Sequence, residues 1–182
     1  MHERGRDRFV AGRAFLRLLL GHFLGEDPQG LLFRYGPNGK PALEGPPRGL
    51  AFNLAHSDAL AVCAVARGCD ALGVDIERVR PVGDAEGVAR LAFPSNEVAR
   101  LASHPDPERL RAFFEAWTRN EALLKALGLG LGRSFDDPAE GERLSLHPFE
   151  LAGEHVGAVA AAGRGWRLRL RSWRWEDVAA GG

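Results

Sequence analysis

The chain has 182 residues, 45% of them hydrophobic, 26% charged and only 8% aromatic, which is the makeup of a globular protein with one domain or two closely packed halves. Lys plus Arg number 24 and so do Asp plus Glu, so no bulk electrostatic pull toward nucleic acid or a membrane is expected, and any basic site must be local. Two cysteines, Cys63 and Cys69, are too few for a disulfide framework and lack zinc-ligand spacing, so a reducing cytoplasm is the expected setting.

From about Arg6 to Leu24, Phe9, Phe15, Leu16, Leu19, Leu20 and Phe23 recur mostly at three and four residues, the stripe of a helix laid on a core. Arg13 and Arg17 interrupt that run at helical spacing, which argues against a signal segment. Gly25 and Pro28 end it. Residues 34–43 are rich in Gly and Pro and read as a loop that presents Lys40. A linker-like stretch, Glu44–Gly49, precedes an extended piece from Leu50 to Asp58. Ala59–Ala66 is small and apolar, compatible with a buried strand or a helix turn.

Leu72–Glu77 alternates as a strand, and its period of two puts Asp75 and Glu77 on one face. Helices are expected over Asp84–Ala92 and Ser95–Ser103, the second with Ser95 as N-cap. Pro107–Leu127 carries the clearest helical stripe, with Leu110, Phe113, Phe114, Trp117, Leu124 and Leu127 inward and Gly128 as the stop. A loop is expected around Asp136–Glu142. Trp166–Trp175 alternates large apolar residues with arginine, the pattern of a strand with one wet face, and Gly163–Gly165 would join it to an earlier strand. The Ala/Gly-rich tail is expected to fray.

Of the 24 basic residues only Lys40 and Lys125 are lysine, either by chance or because a compact ammonium is needed there. Asp75 and Glu77 lie one pleat apart, and Glu121 has Lys125 one turn after it. Three converging carboxylates need a cation among them, and hard oxygen donors select Mg²⁺ over zinc. Taken singly, D-x-E on a strand is most often a solvated face, and Glu121 with Lys125 has the order of an ordinary surface pair.

The order and neighbours of these pieces change the weighing. Phe52-Asn53-Leu-Ala-His56-Ser57, Gly73-Val74-Asp75-Ile76-Glu77 and the run from Phe113 through Trp117-Thr-Arg-Asn120-Glu121 and Lys125 to Leu131 closely resemble the three signatures of the 4′-phosphopantetheinyl transferases, of the larger type with two halves in one chain. Arg8-Phe9, Gly12-Arg13, Leu16-Arg17 and Gly39-Lys40-Pro41 resemble that family's N-terminal motifs. The resemblance spans about residues 6 to 135.

It implies an α+β fold of two pseudo-symmetric halves, each a helix on a small antiparallel sheet: an N-terminal, coenzyme A-binding half over 1–71 and a C-terminal, catalytic half over 72–182. The site would lie in the cleft between them. It implies transfer of 4′-phosphopantetheine from coenzyme A, the co-substrate, to a serine of an apo acyl or peptidyl carrier protein, with no nucleic acid or membrane partner. Asp75, Glu77 and Glu121 would bind Mg²⁺, Glu121 would also be the base, and Lys125 would neutralise the leaving phosphate. Lys40 and His56 would grip the coenzyme's 3′-phosphate, with Arg8 and Arg13 as further contacts. Ser57 has no nucleophile elbow around it and receives no catalytic part.

Departures from the pattern set further expectations. Asn120 stands where the signature has lysine, which removes a charge beside the pyrophosphate; Arg119 is expected to compensate in part. Ala55 replaces a frequent serine and is expected to cost one phosphate hydrogen bond. Met1 lies almost at the Arg-rich helix, whereas larger members carry a strand ahead of it, so either the start is shortened or the first half lacks that strand. A catalytically weak relative that binds coenzyme A or a carrier without efficient transfer is the alternative reading, and a phosphohydrolase ranks last.

Overall fold

The computed structural model describes residues 3–45, 49–129, 143–151 and 154–172. The expected loop at 136–142, the last two residues of the third signature, Trp173, Trp175 and the tail lie outside these. The elements are α1 (Glu3–Leu24), β1 (Phe33–Tyr35), β2 (Pro41–Leu43), β3 (Leu50–Ser57), β4 (Leu60–Arg67), β5 (Leu72–Arg78), α2 (Ala85–Ala92), α3 (Ser95–Ala102), α4 (Asp106–Leu127), β6 (Leu144–Leu151) and β7 (His155–Ala162). This is a mixed α+β fold with small antiparallel sheets. Two compact units divide it: Met1–Tyr35 with Pro41–Pro46 and Arg167–Gly182, and Gly36–Lys40 with Pro47–Trp166. Among the described residues no helix is long and apolar enough to cross a membrane.

In the first unit, Leu16, Leu19 and Leu20 of α1 are buried as their spacing requires, whereas Phe23, also expected in the stripe, is 38% exposed. Residues 34–35 and 41–43, read from sequence as loop, pair with Phe33 as short antiparallel strands, Phe33 opposite Leu43. Three residues a side are too few to show a period.

In the second unit, β3 and β4 form a hairpin in which Ser57 pairs with Leu60. That leaves a two-residue turn, and Asp58 takes the left-handed backbone (φ 52) that such turns demand. The pairing also resolves Leu60–Arg67 as strand. A three-stranded antiparallel sheet has the order β5-β7-β6. One of its faces sends Leu72, Val74, Ile76, Phe149 and Val159 into a core shared with Ala55 of β3. On the other, Ala158 and Ala160 meet Ala122 and Ala126 of α4. Small residues there let the helix lie close on the strands. Phe93, Phe113, Phe114 and Trp117 cluster where α2, α3 and α4 meet.

Helix ends follow their chemistry. Asp84 caps α2, its carboxylate accepting from Gly87 N at 2.8 Å. In α3 the cap is Pro94, not Ser95, with no side-chain cap bond. Gly128 ends α4 in the left-handed conformation (φ 71). Among the described residues the strand expected from Trp166 onward is not formed: residues 165–172 have no regular structure, and Leu168 and Leu170 are exposed. A hairpin through Gly163–Gly165 would have to pair with β7, and β7 is already paired on both edges, by β5 and β6.

Candidate active site

The pairs from β3 to β5 carry the geometry. Asn53 Oδ1 accepts from Val74 N at 2.8 Å and Ser57 Oγ from Arg78 N at 3.0 Å. Both pairs are 21 residues apart, so the two strands run in the same direction, bridged by side chains on one face of β3. Ala55, between them, is 4% exposed and packs with Leu72, Val74 and Ile76. A serine there would face β5, not a phosphate, which corrects the cost expected for its absence. Ser57 Oγ also donates to Glu77 Oε2 at 2.9 Å. Sequence reasoning gave Ser57 no part and did not weigh Asn53; their i, i+4 spacing on a strand was the available signal.

Facing this edge is α4. Gly73 packs so tightly under it that an added Cβ would lie 2.1 Å from Ala122 O and 2.4 Å from Ala126 N. Two residues on, Asp75 is 6% exposed and Glu121, on α4, is 3% exposed. Lys125 Nζ donates to Asp75 Oδ1 at 2.5 Å. The other oxygen, Asp75 Oδ2, is buried without a hydrogen-bond partner. Burial pushes the Asp75 carboxyl up to about 6; Lys125 opposes that rise, and the charges of Glu77 and Glu121 add to it. Glu77 and Glu121 thus both act on Asp75. Among the described residues, however, no three His, Cys, Asp or Glu side chains gather closely enough to hold a metal ion. The Lys125 ammonium supplies positive charge at Asp75.

Of the remaining predicted positions, His56 and Lys40 belong to the second unit and Arg8 and Arg13 to the first. His56 is exposed, on the opposite pleat of β3 from Ser57. Lys40 is half-buried, its Nζ donating to Leu72 O (3.0 Å), Lys125 O (2.5 Å) and Ala126 O (3.0 Å). In the first unit Arg13 bonds the Tyr35 hydroxyl and lies 4.7 Å over its ring, beside a cleft of about 200 Å³ lined also by Leu16, Arg17 and Phe33. Arg8 lies on α1, and its side chain falls outside the described set. Asn120 is buried. Arg119 bonds Glu97 of α3 at 3.1 Å, so in this arrangement its guanidinium does not stand in for the missing lysine.

Residues 71–178, which hold β5 and α4, match the family model ACPS, the 4′-phosphopantetheinyl transferase superfamily. This chain belongs to that superfamily. Its members are enzymes, and the transferases it resembles carry that name. It is 40% identical to the 4′-phosphopantetheinyl transferase HetI of Nostoc sp. over 91% of this chain and 75% of the relative. It is also 40% identical to the 4′-phosphopantetheinyl transferase AcpT of Escherichia coli, over 68% of this chain and 58% of the relative. With the 4′-phosphopantetheinyl transferase gsp of Aneurinibacillus migulanus it shares 33% identity over 68% of this chain and 49% of that protein. The chain therefore spans between half and three quarters of these relatives.

Proposed function

We propose that this chain transfers 4′-phosphopantetheine from coenzyme A to a serine of an apo acyl or peptidyl carrier protein, as a member of the larger, two-halved type. The observation that carries the reading is the pair of buried Asp75 with half-buried Lys125, beside Glu77 and Glu121, on the strand and helix that hold the family signatures. Two free cysteines, Cys63 and Cys69, fit a cytoplasmic setting.

Asp75, Glu77 and Glu121 would hold Mg²⁺ only by drawing together on it, since among the described residues no three such side chains already lie close enough. The donors are hard carboxylate oxygens, and Asp75 Oδ2 is a buried one with no bond to give up. When bound, the ion supplies positive charge to the pyrophosphate. Glu121 accepts the proton of the carrier serine as its oxygen attacks the β-phosphorus, and adenosine 3′,5′-bisphosphate leaves. Lys125, on the same helix face one turn along, neutralises charge on the departing group. His56 grips the coenzyme's 3′-phosphate, and Arg8 and Arg13 contact its phosphates or adenine.

A second reading, a relative that binds without efficient transfer, is favoured by one observation: Asn120 replaces the signature lysine while Arg119 is held by Glu97. Incubation with coenzyme A, Mg²⁺ and apo carrier, followed by intact mass measurement, tests both. A phosphopantetheine adduct that vanishes in Glu121→Ala supports transfer. Coenzyme A binding without adduct supports the second reading, and neither binding nor adduct defeats both.

A further inference from the structure

Four carbonyls at the C-terminal end of a helix lack intrahelical partners. At the end of α4, Leu124 O accepts from Leu129 N (2.9 Å) and Lys125 O from Gly128 N (3.3 Å). The rest of the capping comes from a segment some 85 residues away in sequence. Lys40 Nζ donates to Lys125 O and Ala126 O, and Asn38 Nδ2 donates to Gly128 O at 2.8 Å. The segment is itself a closed turn, with Gly36 N bonded to Lys40 O and Gly39 N to Gly36 O, both at 2.9 Å. A cation at a helix C-terminus also opposes the negative end of the dipole.

The third bond of Lys40 goes to Leu72 O, the first residue of β5. One ammonium therefore joins the last turn of α4 to the start of β5, beside the contact where Gly73 admits the helix. An ammonium has three N–H donors, and here each has a carbonyl. Burial lowers the pKa of Lys40 by desolvation, while hydrogen bonds from the charged form to carbonyls favour the ammonium.

We propose that Lys40 is a positioning residue, which fixes Lys125 against Asp75 by clamping the end of α4 to β5, in place of a grip on the coenzyme's 3′-phosphate. The proposal rests on the transferase reading for its rate measurements and on the fold alone for its exchange measurement. Asn38 contributes to the same cap, from an exposed turn.

Three measurements on the full chain decide it. In Lys40→Met, amide exchange at Gly128 and Leu129 accelerates by about tenfold or more, because the last turn loses its external bonds. The turnover number falls, and in a Lys125→Met background the same substitution costs little further rate, since Lys40 acts through Lys125. The preference for coenzyme A over 3′-dephospho-coenzyme A, measured by calorimetry, stays within about twofold of the unmodified protein, where loss of a charge-assisted phosphate bond would cost roughly tenfold or more. Unchanged exchange, rate losses that add in the double variant, or collapse of that preference each overturns the proposal. Asn38→Ala, which removes one bond from an exposed position, shows the same acceleration to a smaller degree and keeps the test available if Lys40→Met does not fold. Failure of the unmodified protein to bind coenzyme A defeats the functional reading and leaves the exchange result to decide on Lys40.

Discussion

Gly73 of β5 and Ala122 of α4 are in backbone contact: a Cβ on Gly73 would stand 2.1 Å from the Ala122 carbonyl oxygen. The neighbour is backbone, which cannot swing aside as a long side chain would. Strand and helix must separate to admit even a methyl group, and the carboxylate and ammonium that meet two residues further along separate with them. Gly73→Ala is therefore expected to destabilise by about 1–3 kcal/mol and to lower transfer by more than the loss of folded protein explains. Denaturant melts and single-turnover rates on the folded fraction check both; an unchanged midpoint would show that the contact relaxes freely.

Ser57 gives one hydroxyl two tasks, accepting from Arg78 N and donating to Glu77 Oε2. Ser57→Ala leaves the amide without that acceptor and the carboxylate free to rotate. The expected cost is about 1–2 kcal/mol of stability, and the Mg²⁺ concentration for half-maximal transfer rises several-fold. Calorimetric Mg²⁺ binding, independent of turnover, should weaken in parallel. Equal Mg²⁺ affinity in the two proteins would assign Ser57 to the strand edge alone.

The ionisation of Asp75 has a sign that can be tested in the metal-free protein. Its folded-state value, about 6, lies above the ordinary 3.8, so between these values the folded chain binds more protons than the unfolded one. Stability from this group is fully present below the ordinary value and is lost as pH rises to about 6, after which the contribution is flat. The melting temperature of Asp75→Asn relative to the unmodified protein should climb across that window and level above it. A difference that runs the other way would mean that Lys125 outweighs burial.

These relationships were legible in the sequence to different depths. Alternation in β5 and the long stripe of α4 show through because each buries one face, and buried faces impose a period. The D-x-E pair and Glu121 were found by their neighbours, not by their spacing. Lys40 stands out in the sequence as one of two lysines, but its partners are carbonyls of β5 and α4, which no side-chain pattern announces. The same holds for Asn53 and Ser57, whose partners on β5 include backbone amides. The stretch from Trp166 to Arg171 differs for another reason: alternation reports a chain that can be a strand, while a hairpin onto the preceding strand needs an open edge, and β7 has none to offer.

Asn120 decides between the two functional readings. The residue is buried on α4 beside Glu121, and Arg119 on its other side is bonded to Glu97. Asn120→Lys restores the ammonium that the signature carries at this position. A lysine there must bury its stem, so thermal stability is expected to fall. Its charge next to Glu121 should raise the transfer rate roughly tenfold if the pyrophosphate is bound nearby. Paired measurement of melting temperature and of holo-carrier formation separates the effects. A faster variant of lower stability identifies Asn120 as the element that limits the present site; a slower one means that the position serves packing, and that transfer by this chain draws its positive charge from elsewhere.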